Sequence, residues 1–98
     1  MSENLDPIIH QPVRLRIVAA LAALKPDDSV DFTFLKEKLG LTDGNLGAHL
    51  STLEDAGYVT ADRSLSGARP KTFLALNEKG RSAFVAYRSA IEALFNGR

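Results

Sequence analysis

The sequence of 98 residues contains no cysteine and no tryptophan, and its charges cancel. The absence of cysteine excludes disulfides, thiolate metal ligands and thiol redox chemistry. The longest uninterrupted apolar run, Ile17 to Leu24, is far shorter than the roughly 20 residues that a membrane-spanning helix needs. Charged residues precede this run, which is untypical of a secretory signal. We therefore expect a cytoplasmic protein without a membrane segment.

The charges are balanced in number but unevenly distributed. The 12 basic and 12 acidic residues give a net charge of zero, whereas nucleic-acid binders usually carry a basic excess. Lysine and arginine are absent between Leu39 and Asp62, and then Arg63, Arg69 and Lys71 follow closely. Any electrostatic attraction for nucleic acid should therefore come mainly from these three residues.

The length and the composition predict one globular domain that spans residues 1–98. Hydrophobic residues make up 45% of the chain and no low-complexity segment occurs, so the sequence is typical of a folded protein. A chain of this size buries only about 60–65% of its unfolded surface, which leaves a small core. Further burial against a second subunit would therefore stabilise it.

The first half of the chain predicts a leader, two helices and a very short strand. Residues 1–11 form the leader, and Pro12 suits the first turn of a helix that continues to about Leu24. Ser29-Val30 can form only a short strand. Asp31 is a good N-cap for the second helix, and Gly40 suits its C-terminal end.

The third helix is the most clearly marked element. Thr42 is a good N-cap, the apolar residues recur at helical spacing, and Gly57 follows the end of the pattern; the apolar residues are Leu46, Leu50 and Leu53. Only Gly40-Leu41 separates this helix from the second one, which predicts a helix-turn-helix. The segment from about Thr42 to Ala56 is the candidate recognition helix.

After Gly57 the hydrophobic pattern changes from the helical period to the alternation that is typical of strands. Tyr58 to Arg63 and Lys71 to Leu76 read as a hairpin, with a connection of seven residues, 64–70, between the strands. Asn77 is a good N-cap for a last helix, which covers residues 77–96. The predicted architecture is mainly α with a small β-hairpin.

The order of helix, helix, helix, hairpin and helix resembles that of the winged-helix regulators of the MarR and ArsR kind. Closest in pattern are their stand-alone members of about this length. The resemblance rests on three stretches: HQPVRLRI at residues 10–17, LTDGNL with HL and LEDAGYV in residues 41–59, and TFLALNEKG at residues 72–80.

This resemblance implies a winged helix-turn-helix fold with a C-terminal dimerisation helix. It implies a transcriptional regulator that binds a pseudo-palindromic operator in double-stranded DNA as a homodimer. The third helix would enter the major groove, and the wing, about residues 58–76, would follow the backbone or the minor groove. The chain departs from the family at two places. Where it has Gly47-Ala48, members often carry serine followed by arginine, histidine or serine. Where it has Ser51, they commonly carry lysine.

The candidate base-reading residues lie on the face of the third helix opposite the leucines. The full set of DNA-facing candidates on this helix is Thr42, Asp43, Gly44, Asn45, Gly47, Ala48, His49 and Ser51. Asn45 can pair bidentately with adenine, or it can merely help to start the helix. Asp43 can accept a hydrogen bond from cytosine, or its negative charge can stabilise the N-terminus of the helix. His49 can reach a phosphate, or it can be a half-buried, hydrogen-bonded residue of the helix.

The wing and the last helix supply the other candidates. Arg63, Arg69 and Lys71 are the candidate phosphate ligands, unless they only cover a solvated hairpin. The last helix carries an apolar stripe that is either core or a dimer seam, and we favour the seam. The predicted dimer interface comprises Ile8, Ile9, Phe84, Tyr87, Ile91, Leu94 and Phe95.

No pattern in the sequence indicates catalysis, a cofactor or a metal site. The two histidines, His10 and His49, have no ligand spacing, and no nucleophile motif or phosphate loop is present. We expect a protein that is not an enzyme, and the sequence does not identify an effector. A second interpretation remains open, namely a winged helix that binds another protein without DNA, since a fold alone does not fix a function.

Overall fold

The computed structural model describes residues 5–66 and 69–97, with the backbone alone at residues 64–66 and 69. Within these residues the chain forms helices α1 to α4 and strands β1 to β3. Their bounds are α1 Pro12–Ala22, β1 Val30–Asp31, α2 Phe32–Leu39, α3 Asp43–Asp55, β2 Val59–Ser66, β3 Arg69–Leu76 and α4 Glu78–Phe95. The predicted order of elements is confirmed.

Side-chain caps begin the helices where the sequence predicts them. Asp31 accepts from the backbone N–H of Phe34 at 2.7 Å, and Thr42 accepts from that of Asn45 at 3.1 Å. Asn77 accepts in the same way at the start of α4. Each cap satisfies a backbone donor that the first turn of a helix leaves without a partner.

Gly40 makes the tight turn between α2 and α3 possible. Its φ of 67° lies in the left-handed region, which costs glycine little and other residues considerably more. This residue ends α2, and its neighbour Leu41 donates from its N–H to the carbonyl of Lys36. The two helices therefore follow one another with the short turn of a helix-turn-helix.

The three strands form an antiparallel sheet in the order β1-β3-β2. The hairpin is longer than the sequence predicts, because pairing continues to Ser66 opposite Arg69 and leaves only residues 67 and 68 between the strands. The prediction of a seven-residue connection was therefore wrong. Pro70 fits into β3 because β1 pairs only with Phe73 and Leu74, so at Pro70 the strand has a neighbour on one side alone.

The core lies between the four helices and the sheet, and it also includes Ile9 of the leader. The fully or nearly fully buried hydrophobic residues are Ile9, Ile17, Val18, Leu21, Leu35, Leu46, Leu50, Leu53, Val59, Leu74, Leu76 and Tyr87. No helix in the described part of the chain combines the length and the hydropathy needed to cross a bilayer.

The described part of the leader is packed onto the rest of the protomer. Asp6 accepts hydrogen bonds from the Tyr58 hydroxyl and from the backbone N–H of Ile8. The ring Nδ1 of His10 lies 2.8 Å from the hydroxyl of Tyr87. Ile9 has no exposed surface. Ile9 therefore belongs to the core of the chain, which corrects its assignment to a dimer interface, because a side chain without exposed surface cannot contact a partner. Tyr87 is 6% exposed, and its assignment to a dimer interface stays a prediction.

Candidate nucleic-acid interface

The N-terminal half of α3 presents small and polar residues to solvent. Its buried stripe consists of Leu46, Leu50 and Leu53, as the leucine spacing predicts. The exposed residues are Thr42, Asp43, Gly44, Asn45, Ala48 and Ser51, while Gly47 and His49 are half-buried. The structure thus brings the base-reading candidates together on one side of the helix.

Two glycines on α3 have no packing reason inside the protomer. A Cβ atom built at Gly44 or at Gly47 meets no atom of the other described elements within 4 Å. A glycine in a helix interior nevertheless costs about 1 kcal/mol relative to alanine. The bare helix surface at these positions leaves room for a large ligand to approach the backbone closely.

The hairpin stands beside α3, with a cleft of about 250 Å³ between them. Leu50 and Leu74 line this cleft, and Glu54 and Arg63 lie across it from one another. Lys71 is exposed on β3. The backbone of Arg69 starts β3, but its side chain lies outside the described part, so its predicted contact with phosphate stays a prediction.

A helix-turn-helix followed by a paired hairpin is the arrangement of a winged helix, and the comparison with protein families agrees. Residues 13–95 match the model of the family described as winged helix DNA-binding domain. The chain belongs to this family. The winged helix-turn-helix assignment made from the sequence, with its class of DNA-binding transcriptional regulators, is therefore confirmed.

Individual relatives agree with the family. The chain is 44% identical over 80 residues to an uncharacterized protein from Methanocaldococcus jannaschii, which covers 82% of this chain and 84% of that one. A transcriptional regulator homologue from Pyrococcus horikoshii has a TM-score of 0.82 and 30% identity, covering 92% of this chain and 86% of that one.

A more distant structure shares the fold alone. A protein with a GntR superfamily winged-helix-turn-helix domain from Halomicrobium mukohataei has a TM-score of 0.66 and 24% identity, over 90% of this chain and 64% of that one.

The winged helix carries two ion pairs that join α3 to its neighbours. Lys36 of α2 lies 2.9 Å from Asp43, and the hydrogen bond to Asp43 and its charge raise the pKa of Lys36 above its ordinary value. Arg63 of β2 donates to Glu54 at 3.3 Å. Sequence reasoning missed both pairs, because each joins residues of different elements and no local spacing marks it.

His49 is held inside the protomer rather than aimed at solvent. Its Nδ1 lies 3.2 Å from a guanidinium nitrogen of Arg14, and Arg14 also donates to the carbonyl of Ile8 at 2.6 Å. Of the two roles left open for His49, the half-buried and hydrogen-bonded one is observed in the protomer. Arg14 of α1 thus joins the leader to α3.

The other face of the winged helix has an apolar groove between α1 and α4. Its volume is about 290 Å³, and it is lined by Leu15, Phe84, Tyr87, Arg88, Ile91 and Glu92. Phe84 and Ile91 are half-buried, whereas Leu94 and Phe95 are 56% and 85% exposed. Exposed aromatic area beside an apolar groove is typical of surfaces that bind another protein.

Proposed function

We propose that the protein is a homodimeric transcriptional regulator that binds a specific, pseudo-palindromic sequence in double-stranded DNA. The observation that carries this proposal is the exposed, small-residue face of α3 beside the hairpin. Gly44 and Ala48 leave the helix narrow at the positions that would meet the floor of a major groove. An α-helix fits that groove, and close approach brings backbone and short side chains to the base edges.

Asn45 is the residue that we expect to read a base. It is exposed near the start of α3, and its side-chain amide makes no hydrogen bond within the described residues. The amide can pair bidentately with adenine, a contact worth about 1–3 kcal/mol of discrimination. Thr42 already caps the helix, so the start of the helix does not depend on the Asn45 side chain.

The wing supplies the electrostatic part of binding. Lys71 is exposed, and Arg63 and Arg69 lie on the same hairpin. Because Arg63 is paired with Glu54, the other two contacts per protomer would give a dimer a slope of about −4 in a plot of log affinity against log salt concentration. The absence of Lys and Arg from α3 means that most of this slope should come from the wing.

The groove between α1 and α4 supports a two-fold dimer. Phe84, Ile91 and Phe95 follow one another along one side of α4, so the same apolar surface on a second copy can cover the groove. Burial of Phe95 alone would contribute up to about 2–3 kcal/mol. A two-fold dimer would present two copies of α3 to two half-sites.

Selection of genomic DNA fragments, followed by salt titration of the best fragment, tests DNA binding. We expect Asn45→Ala to lose discrimination at one base pair of each half-site. Lys71→Ala should make the salt slope less steep by about 2 per dimer, whereas Lys25→Ala, which removes the same charge beside the start of α4, should not change it. Binding to no DNA at low salt would refute the proposal and favour the protein-binding alternative.

Sedimentation at micromolar concentration tests the dimer. The native protein should sediment as a dimer, and Phe95→Ser should shift it towards the monomer. Val85→Ser is the matched control, because Val85 is also exposed on α4, at 63%, but helical geometry turns it about 100° away from the side that carries Phe84, Ile91 and Phe95. A monomeric native protein, or equal effects of the two substitutions, would argue against this interface.

A further inference from the structure

Two cations beside α3 are held by carboxylates of α3 itself. Asp43, in its first turn, binds Lys36 of α2, and Glu54, in its last turn, binds Arg63 of the wing. The helix contributes no cation of its own. A phosphate that approaches Lys36 or Arg63 therefore meets a basic residue whose charge is already neutralised.

Both ion pairs remain accessible to solvent, so a phosphate can compete for them. The exposed fractions of the side chains are 29% for Lys36 and 77% for Asp43, and 65% for Arg63 and 27% for Glu54. Pairs of this kind contribute little to folding stability, because solvent screens them and they cost side-chain entropy. A phosphate that binds Lys36 or Arg63 must, however, first displace the carboxylate of Asp43 or Glu54.

Displacement has a cost that does not depend on the DNA sequence. When a phosphate takes the cation, the released carboxylate remains close to the polyanion and repels it. Contacts between base edges and Asn45 or its neighbours can offset this cost only where the bases are correct. The carboxylates thus weaken binding to all DNA and leave the discrimination between sequences to the base contacts.

We propose that Asp43 and Glu54 act as specificity-determining residues by competing with DNA phosphates for Lys36 and Arg63. The inference rests on the proposed DNA-binding function and assigns a role to two acidic residues of α3 that hold neighbouring cations. It also explains how a chain without net charge can contain a DNA-binding helix. Asp43 and Glu54 reduce the attraction between phosphates and the cations beside α3, so that non-specific binding stays weak.

The test compares three neutralised variants of similar shape: Asp43→Asn, Glu54→Gln and Asp55→Asn. Asp55 is the matched control, since it lies exposed on the same helix and forms no ion pair within the described residues. All three remove one negative charge from α3. Only the first two release a cation.

The measurement is affinity for a random duplex over a range of salt concentrations. Release of one cation per protomer should make the salt slope of a dimer steeper by about 2, and affinity at low salt should rise about tenfold. Asp55→Asn should leave the slope unchanged and raise affinity no more than about threefold, as expected for a change of charge alone. The ratio of operator to random-duplex affinity should fall for the first two variants.

A double-mutant cycle separates competition from loss of fold. In the background of Lys36→Gln, Asp43→Asn should no longer change the slope, because there is no cation to release. Equal slopes for all three single variants, with DNA still bound, would overturn the inference while the proposed function stands. Failure of the native protein and every variant to bind DNA at low salt would overturn both.

Discussion

Substitution of Ile9 by alanine tests whether the leader is part of the fold. Ile9 lies only a few residues from the start of the chain, yet it is fully buried in the core. The substitution removes three carbon atoms from a packed site. At about 0.8 kcal/mol per buried carbon, transfer alone costs about 2.4 kcal/mol, and the cavity left behind raises the expected loss to about 3 kcal/mol.

This loss is large for a domain of this size. Small domains have unfolding free energies of about 5–15 kcal/mol, so about 3 kcal/mol removes a substantial part of the total. Urea unfolding followed by circular dichroism measures it. With a slope of about 1.5 kcal/mol per molar urea, the midpoint should fall by about 2 M. The slope itself should not change, because the rest of the core still unfolds as one unit.

The control is Leu94→Ala, and both variants are measured at a concentration too low for the proposed dimer to form. Leu94 is 56% exposed in the protomer, so its truncation should leave the stability of the monomer nearly unchanged. Ile9→Ala could lower the free energy of unfolding at this low concentration by less than about 1 kcal/mol, or could lower it only at concentrations where the proposed dimer forms. Either result would show that the leader is not part of the core.

Two further predictions concern the contacts of Tyr58. Gly80→Ala should destabilise by about 1–3 kcal/mol in thermal or urea unfolding, because a methyl group there would collide with the Tyr58 carbonyl oxygen and lie 2.7 Å from Leu76 Cδ1; unchanged stability would contradict this packing. The hydrogen bond to Asp6, aided by burial and the Asp6 charge, raises the pKa of Tyr58 from 10.0 to about 12. The contribution of this hydrogen bond to the free energy of unfolding should be complete below pH 10 and should disappear between pH 10 and 12. The native protein should therefore be more stable than Tyr58→Phe by about 1 kcal/mol, after solvent screening, below pH 10, and this difference should vanish as the pH rises to 12. A constant difference across that range would exclude this bond as the cause.

Local signals in the sequence were enough to predict the elements. The caps at Asp31, Thr42 and Asn77, and the stop at Gly40, act through backbone groups within a few residues, so their effect can be read without tertiary structure. The hairpin was the exception. Proline and glycine in residues 64–70 indicated a loop, but whether Pro70 can lie in a strand depends on which side of that strand has a neighbour.

The candidate interface divides in a similar way. The sequence by itself determined which face of α3 is exposed, because helical geometry places Leu46, Leu50 and Leu53 together and turns Gly44, Asn45 and Ala48 away from them.

Only the tertiary structure decided what the charged and aromatic residues touch. It packed Ile9 and Tyr87 into one protomer, turned His49 towards Arg14, and paired Glu54 with Arg63. Each of these contacts joins residues that are distant along the chain. Their distances depend on how helices and sheet pack, which no local periodicity encodes.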